Sequence, residues 1–372
     1  MSEKVKSLKE VSEEIGEKIG EFKQFNADNG FFKMSLRGEK DIKLYESKIR
    51  ANLSFKGTKQ PISFGYFKSK TGYNKKYKNT KEYANHYGEY IAYIILKQLG
   101  KKACKVDIGE LEIKNPYNSK PIQVEGILSH FQLTQEEIFQ PISVIIEQYK
   151  EVHPKKYRDM TSRGNTHSDK NYTNVELILN AIEEAFRKNG QEHKISEARK
   201  KFFDMCIFDI KFANRDRHDE NFGLKINQVT NEIDFYHLFD NEQILGFQEN
   251  RPDIVKYLDL SDSTQYKKFK DRELTSCIGI PENIQRINSQ EFLMYLLEHY
   301  PEETIDSLKD ISRYKLEDLK ELMSFCSRLS KEHKDFAEKI FIDREQEVAV
   351  TIKAFREKQS SRIKHSPDEE VK

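Results

Sequence analysis

Three oxygen-bearing side chains in one short stretch of the chain could carry phosphoryl-transfer chemistry. Asp216 and Asn221 lie five positions apart in a polar loop, and Asp240 follows after a segment with the pattern of a β-hairpin. One aspartate that accepts a proton, together with an asparagine and a second aspartate that bind metal, is the arrangement of kinase-type phosphoryl transfer. The spacing therefore predicts a site for that chemistry.

The hairpin gives this spacing a geometric meaning. Apolar runs at 222–226 and 232–239 predict two strands joined by a turn. The open ends of a hairpin are neighbours in space, so we expect Asn221 and Asp240 to lie close together. Their amide and carboxylate oxygens suit Mg²⁺. Asp216, one short turn upstream, could face the same point and accept a proton from an attacking hydroxyl.

Three further residues are predicted to brace this loop. Asp209 lies at the edge of the apolar face of the preceding helix, where a carboxylate is costly unless it finds hydrogen-bond donors. The loop that follows could supply them, although an ordinary, partly exposed aspartate fits the pattern equally well. Asn214, which opens the loop, and His218, the histidine within it, are the other predicted braces.

The composition limits the classes of function. The chain has 372 residues, 37% of them hydrophobic, which is enough for two lobes. A net charge of +1 despite 34% charged residues gives no basic field, so nucleic-acid binding is not indicated. The four cysteines form no CxxC pair, which indicates neither a zinc site nor a disulfide framework.

The N-terminus and the short apolar runs predict no signal peptide and no membrane span. We expect a cytoplasmic protein, although secretion without a cleavable signal is also compatible with this N-terminus. The expected organisation follows the hydrophobic periodicity. It comprises a polar helix over 1–24, a smaller lobe of strands and one helix over 25–131, a mainly helical lobe over 132–360 that contains the loop and hairpin at 214–240 and irregular stretches at 155–174 and 241–290, and a disordered tail over 361–372.

The chain resembles the HipA-like serine/threonine kinases, particularly their compact CtkA type. The resemblance rests on the run Asn214-Arg215-Asp216-Arg217-His218-Asp219-Glu220-Asn221-Phe222-Gly223, followed by Phe239-Asp240. It implies an α+β fold with two lobes, a small mixed-sheet N-lobe and a mainly helical C-lobe of the protein-kinase type. It also implies ATP and Mg²⁺ as cofactors, with Asp216 as the catalytic base and Asn221 and Asp240 as metal ligands.

The resemblance is weaker upstream of the loop. Lys68, at the end of a strand-like run, looks like the nucleotide-binding lysine of the family, with Lys70 as the competing choice. Glu89 looks like the glutamate of the N-lobe helix that pairs with this lysine. No Gly-x-Gly-x-x-Gly run is present, so the phosphate-covering loop is expected either at 28–38 or at 54–57. The hinge that would contact adenine is expected at 126–131.

The function that this resemblance implies is an ATP-dependent serine/threonine protein kinase that also phosphorylates itself. Its partners would be a protein with a serine or threonine acceptor and an antitoxin or another regulatory protein. A kinase for a small molecule or a lipid remains an alternative, as does an inactive ATP-binding interaction protein of the toxin–antitoxin type. A metallohydrolase is the third alternative, with His86, His218, His237 and Asp219 as its residues.

Overall fold

The computed structural model describes residues 4–25, 31–36, 50–55, 63–69, 83–113, 122–130, 132–161, 173–273, 275–282 and 287–364. The helices are α1 (Leu8–Ile15), α2 (Asn85–Gln98), α3 (Ile142–Val152), α4 (Pro154–Thr161), α5 (Val175–Lys188), α6 (Ile195–Lys211), α7 (Arg251–Leu258), α8 (Ser263–Glu273), α9 (Ser289–His299), α10 (Pro301–Ile311), α11 (Leu316–Phe325) and α12 (Lys331–Lys364). The strands are β1 (Phe22–Phe25), β2 (Phe31–Leu36), β3 (Arg50–Phe55), β4 (Ser63–Ser69), β5 (Val106–Ile113), β6 (Ile122–His130), β7 (Glu137–Pro141), β8 (Gly223–Asn227), β9 (Ile233–Phe235), β10 (Thr275–Ser276) and β11 (Ile287–Asn288).

A six-stranded sheet forms the smaller lobe, in the order β1-β5-β6-β4-β3-β2. Strand β1 pairs with β5 in parallel, and the other neighbours pair antiparallel, so the sheet is mixed. Helix α2 packs against β5 and β6. The second lobe combines helices α3 to α12 with the three-stranded sheet β7-β8-β9. The predicted α+β class, with a mixed-sheet lobe and a mainly helical lobe, is confirmed.

The N-terminal segment is not one helix over 1–24, so that prediction is wrong in extent. A capping box starts α1, because the Ser7 hydroxyl accepts from the backbone N–H of Glu10 and the Glu10 carboxylate accepts from the N–H of Ser7 at 2.6 Å. Gly16 then adopts a positive φ of 69° and ends the helix. The chain continues into β1, where Phe22 pairs with Ile108 at the edge of the sheet.

Helix α2 is buried on nearly every side. Thirteen of its fourteen residues are buried, among them Glu89, because the sheet, α1, α11 and the 3-10 turn at Ile244–Gly246 all contact it. Gly88 allows a close approach of the segment just before this turn, since a Cβ atom at Gly88 would lie 2.4 Å from the carbonyl oxygen of Glu242. The helix therefore lies directly against the chain segment that follows Asp240.

The second lobe departs from the sequence prediction in three places. Helix α4 occupies the first part of the expected loop at 155–174, and α7 and α8 lie within the stretch expected to be irregular at 241–290. Aromatic contacts explain the packing of α7 and α8, because the rings of Tyr257 and Phe269 pack together and both contact Phe336 of α12. Helix α12 continues to Lys364, beyond the expected start of a disordered tail at 361.

Some predicted features fall partly or wholly outside the described residues. Strand β6 runs through 126–130, so most of the expected hinge is sheet, and Phe131 is outside the described residues. Strands β2 and β3 contain parts of the two candidate phosphate-covering segments, at 28–38 and 54–57. The remaining residues of these two segments, Lys70 and the tail at 365–372 lie outside the described residues. Among the described helices, none combines the length and apolar character that crossing a membrane requires.

The close contact at Gly88 predicts a specific loss of stability. Gly88→Ala should lower the free energy of unfolding in urea by about 1–3 kcal/mol, because the new methyl group displaces α2 from the carbonyl of Glu242. The control is Gly190→Ala, where φ is +66° and no atom lies within 4 Å of the added Cβ. That change should cost about 1–2 kcal/mol from backbone strain alone, with no displacement of packed elements. Disturbed α2 backbone amide exchange should accompany only Gly88→Ala, and undisturbed exchange there would contradict the contact.

Candidate active site

The polar loop begins where α6 ends, and Asp209 anchors its first residues. Ala213 adopts a positive φ of 54°, which turns the chain out of the helix. Asn214 then donates twice to Asp209, from its backbone N–H to the carbonyl oxygen and from Nδ2 to Oδ1, both at 2.9 Å. The amide oxygen of Asn214 accepts from the backbone N–H of Asp216 at 3.3 Å. Asp209 thus finds donors in the following loop, which agrees with the first of the two interpretations given for this residue.

The two ends of the hairpin meet at the guanidinium group of Arg217. One nitrogen, Nη1, donates to the carbonyl oxygens of Asn221 at 2.9 Å and Phe239 at 2.8 Å. Strands β8 and β9 pair antiparallel, with Leu224 opposite Phe235, and so bring these ends together. Asn221 therefore lies close to the peptide between Phe239 and Asp240, in keeping with the expectation that Asn221 and Asp240 are neighbours.

Asn221 also contacts the backbone of Asp216. Its Nδ2 atom donates to the Asp216 carbonyl oxygen at 2.8 Å, and this leaves the amide oxygen as the atom suited to a cation. His218 contributes mainly through its backbone, which accepts from the N–H of Asn221 at 2.9 Å. Its side chain is 45% exposed and accepts only from the N–H of Glu220 at 3.3 Å. The imidazole ring therefore contacts the loop only locally.

A lysine from the smaller lobe reaches the place where Asn221 and Asp240 lie, which we call the corner. The ammonium group of Lys68, on β4, forms an ion pair with Oδ1 of Asp240. Lys68 is only 8% exposed. Burial disfavours its charge, but the carboxylates of Asp240, Glu89 and Glu242 outweigh that effect and raise the pKa of Lys68 above its usual range. Lys68 is therefore charged at any physiological pH.

Glu89 supports the same segment through the backbone. Its carboxylate accepts from the N–H groups of Asp240, at 2.8 Å, and of Asn241. Between the described residues Lys68 and Glu89 there is no ion pair within 4.0 Å, so the expected direct pairing is not observed. Burial raises the pKa of Glu89 to about 7, with Lys68 and the N–H of Asn241 opposing the shift. Glu89 and Lys68 thus both contact Asp240, Glu89 at its backbone N–H and Lys68 at its carboxylate.

The donor set of the corner fits a hard cation. Carboxylate and amide oxygens are the ligands that Mg²⁺ prefers, usually in small number because phosphates and water complete its coordination. The ammonium group of Lys68 on Asp240 shows that the corner accommodates a positive charge. Asn221 and Asp240 are the residues that would hold the metal.

The structure does not favour the metallohydrolase alternative. His86 contacts Glu125 at 3.0 Å, His237 contacts Gln132, and His218 lies on the exposed loop. Within the described residues, no three side chains of His, Cys, Asp or Glu converge as metal ligands. The three histidines therefore lie in separate environments.

Sequence reasoning missed the role of two buried residues in this site. Arg217 and Asn241 are 2% exposed, and they bond to each other between the guanidinium group and Oδ1. Arg217 also donates to both carboxylate oxygens of Asp209, at 2.9 and 3.1 Å. The available signal was charge balance, because a buried Asp209 requires a cation and Arg217 lies eight residues further along the chain.

A solved structure matches this arrangement of elements over nearly its whole length. The crystal structure of the Helicobacter pylori proinflammatory kinase CtkA superposes with a TM-score of 0.63 and 18% sequence identity, covering 91% of this chain and 98% of that chain. The chain has a two-lobed, kinase-like fold. The predicted resemblance is thus confirmed at the level of the fold.

Two other solved structures match less closely. The HipA, HipB and operator DNA complex of Shewanella oneidensis gives a TM-score of 0.44 at 11% identity, covering 81% of this chain and 63% of that chain. The hydra Fam20 structure with sugar gives a TM-score of 0.33 at 16% identity, covering 83% of this chain and 84% of that chain. With TM-scores below 0.5, neither carries an argument here. No family model and no curated protein sequence matches the chain.

The ion pair between Lys68 and Asp240 predicts that the lysine competes with a metal ion. Lys68→Met should tighten Mn²⁺ binding in the absence of nucleotide by about tenfold or more, measured by electron paramagnetic resonance. The physical reason is repulsion, since two unit charges 4 Å apart interact by about 4 kcal/mol at an effective dielectric constant of about 20.

The matched control for this experiment is Lys194→Met. Lys194 forms an ion pair with Glu232 at 2.8 Å, remote from the corner, so its loss should leave the Mn²⁺ affinity unchanged. Equal Mn²⁺ affinities for wild type and Lys68→Met would show that the lysine does not compete for Asp240.

Proposed function

We propose that the protein is a Mg²⁺-dependent kinase that transfers the γ-phosphoryl group of ATP to a serine or threonine hydroxyl of a protein. The kinase-like fold supports phosphoryl transfer as the class of chemistry. The observation that carries the proposal is the convergence of Lys68, from one lobe, on Asp240 of the other, beside the loop that holds Asp216 and Asn221.

Each residue has a role that follows from its chemistry. Asp216 accepts the proton of the acceptor hydroxyl as the hydroxyl oxygen attacks the γ-phosphorus, and ADP leaves with the bridging oxygen. Asn221 and Asp240 would hold Mg²⁺, which would supply positive charge to neutralise the phosphates. Lys68 leaves Asp240 to contact the α- and β-phosphates as a point charge.

The positioning of these groups supplies most of the proposed catalysis. Hydrogen bonds between the Asp216 backbone and the side chains of Asn214 and Asn221 restrain the part of the loop that carries the proposed base. The ion pair with half-buried Asp240 already holds the ammonium group of Lys68 at the site, so only a short movement is needed for Lys68 to reach the phosphates. Transfer to a protein hydroxyl, including one on another copy of this chain, is the expectation that the resemblance contributes.

Two substitutions separate the proposed base from the proposed metal ligand. Asp216→Asn should reduce transfer of labelled phosphate from ATP by about 10²–10⁴-fold while Mn²⁺–ADP still binds, because only the proton acceptor is lost. Asp240→Asn should reduce both transfer and Mn²⁺–ADP affinity, because a ligand charge is lost. Intact-protein mass spectrometry would detect autophosphorylation, and a general protein substrate would detect transfer to another chain.

Glu220→Gln is the control, since it removes an exposed carboxylate from the same loop and should leave both quantities unchanged. Near wild-type transfer by Asp216→Asn would rule out its role as base. Transfer to lipids or small hydroxyl compounds, with none to proteins, would instead favour the small-molecule alternative.

A further inference from the structure

A single buried arginine uses its whole hydrogen-bonding capacity inside the site. A guanidinium group has five N–H donors. Arg217 makes five hydrogen bonds, from Nε and Nη2 to Asp209, from Nη1 to the carbonyls of Asn221 and Phe239, and from Nη2 to Oδ1 of Asn241.

These five acceptors belong to three separate segments of the chain. Asp209 lies on α6, Asn221 ends the polar loop, and Phe239 and Asn241 flank Asp240 after the hairpin. Because Nη1 contacts the carbonyls of Asn221 and Phe239 at once, it joins the backbone of one proposed metal ligand, Asn221, to the peptide that precedes the other, Asp240. A lysine has three donors on one atom and could not reproduce this planar fork.

The segment around Asp240 requires such support. Asp240 adopts a positive φ of 54°, a backbone conformation that costs a non-glycine residue free energy. On one side, the carboxyl group of Glu89 on α2 accepts from the N–H groups of Asp240 and Asn241. On the other side, Arg217 donates to the Phe239 carbonyl and to the Asn241 side chain. The carboxyl group of Glu89 from one lobe and the guanidinium group of Arg217 from the other thus hold the conformation of Asp240.

We infer that Arg217 is a positioning residue, which sets the placement of Asn221 relative to Asp240 and thereby the affinity of the site for its metal. The inference rests on the proposed function for the identity of the metal ligands. Arg217 contacts neither the metal nor the nucleotide in this role. It acts through the backbone carbonyls of Asn221 and Phe239, through the side chain of Asn241, and through the charge balance with Asp209, which accepts two of its hydrogen bonds.

The competing explanation is that Arg217 stabilises the fold without any effect on the metal site. A second buried arginine provides the matched comparison. Arg344 of α12 is 1% exposed, donates from Nε to the carbonyl oxygen of Ile210 at 2.9 Å, and pairs with Glu347. Both arginines therefore bind the end of α6, but only Arg217 extends to the proposed metal ligands.

The test compares Arg217→Lys with Arg344→Lys in the full chain. Urea unfolding should show that both substitutions destabilise the protein. Mn²⁺ affinity in the presence of saturating ADP, measured by electron paramagnetic resonance on folded protein, should fall about tenfold or more for Arg217→Lys only. The turnover number of Arg217→Lys should fall together with the Mn²⁺ affinity, while KM for ATP changes less, because residue 217 lies beside the metal ligands.

An unchanged Mn²⁺ affinity for Arg217→Lys, alongside a loss of stability like that of Arg344→Lys, would overturn the inference. Should Arg217→Lys fail to fold, Asp209→Asn is the second variant. It keeps one oxygen acceptor and the shape of the side chain, and it should weaken Mn²⁺ binding in the same direction. An Asp209→Asn protein with wild-type Mn²⁺ affinity would equally overturn the inference.

The two proposals fail in distinguishable ways. A wild-type protein that binds Mn²⁺–ADP but transfers no phosphate would contradict the proposed function, and the positioning role would still be decided by the metal affinities. Normal transfer by wild type, with equal metal affinities for all of the variants, would contradict the positioning role alone. A wild type that binds no Mn²⁺–ADP would contradict both.

Discussion

The compensation of buried charge is the physical constraint on which the site depends. Arg217 and Glu89 are buried and the Asp209 side chain is only 10% exposed, and an uncompensated charge in such a place costs several kcal/mol. Each is satisfied by groups that belong to the polar loop or to the segment around Asp240. Removing one partner of such a pair typically costs about 3–5 kcal/mol, so the loop can adopt few other conformations.

The same constraint connects the two lobes. Helix α2 carries Glu89, and its far end is held by the second lobe, where Tyr314 donates to Gln98 at 3.2 Å. In the turn after this helix, Lys101 forms ion pairs with Asp204 of α6 and Asp310 of α10, at 2.7 and 2.8 Å. Moving α2 away from the site would break these contacts and expose its apolar surface. The position of Glu89 is therefore a property of the whole helix.

The sequence predicts the parts of the site that depend on local pattern. The hairpin predicts that Asn221 and Asp240 lie close together, and Arg217 joins the carbonyl of Asn221 to that of Phe239, the residue before Asp240. Of the two interpretations of Asp209, the hydrogen bond from Asn214 agrees with the one in which the next loop supplies donors. The bond from Glu89 to the backbone of Asp240 and Asn241 could not be predicted in this way, because it joins elements 151 and 152 residues apart. Helices α7 and α8 were missed because their burial comes from aromatic contacts with α12 rather than from a regular apolar stripe.

Low sequence identity over a shared fold is consistent with a core that tolerates substitution and a site that does not. The chain and CtkA are 18% identical, although the superposition covers 98% of CtkA. A hydrophobic core tolerates many substitutions that keep its volume and pattern. A guanidinium group with five specific acceptors does not tolerate substitution of its partners in this way, because each N–H that loses its acceptor leaves a buried polar group unsatisfied. The positions around Arg217 should therefore be less free to vary than the packing around them, and the fold can persist while most of the core sequence changes.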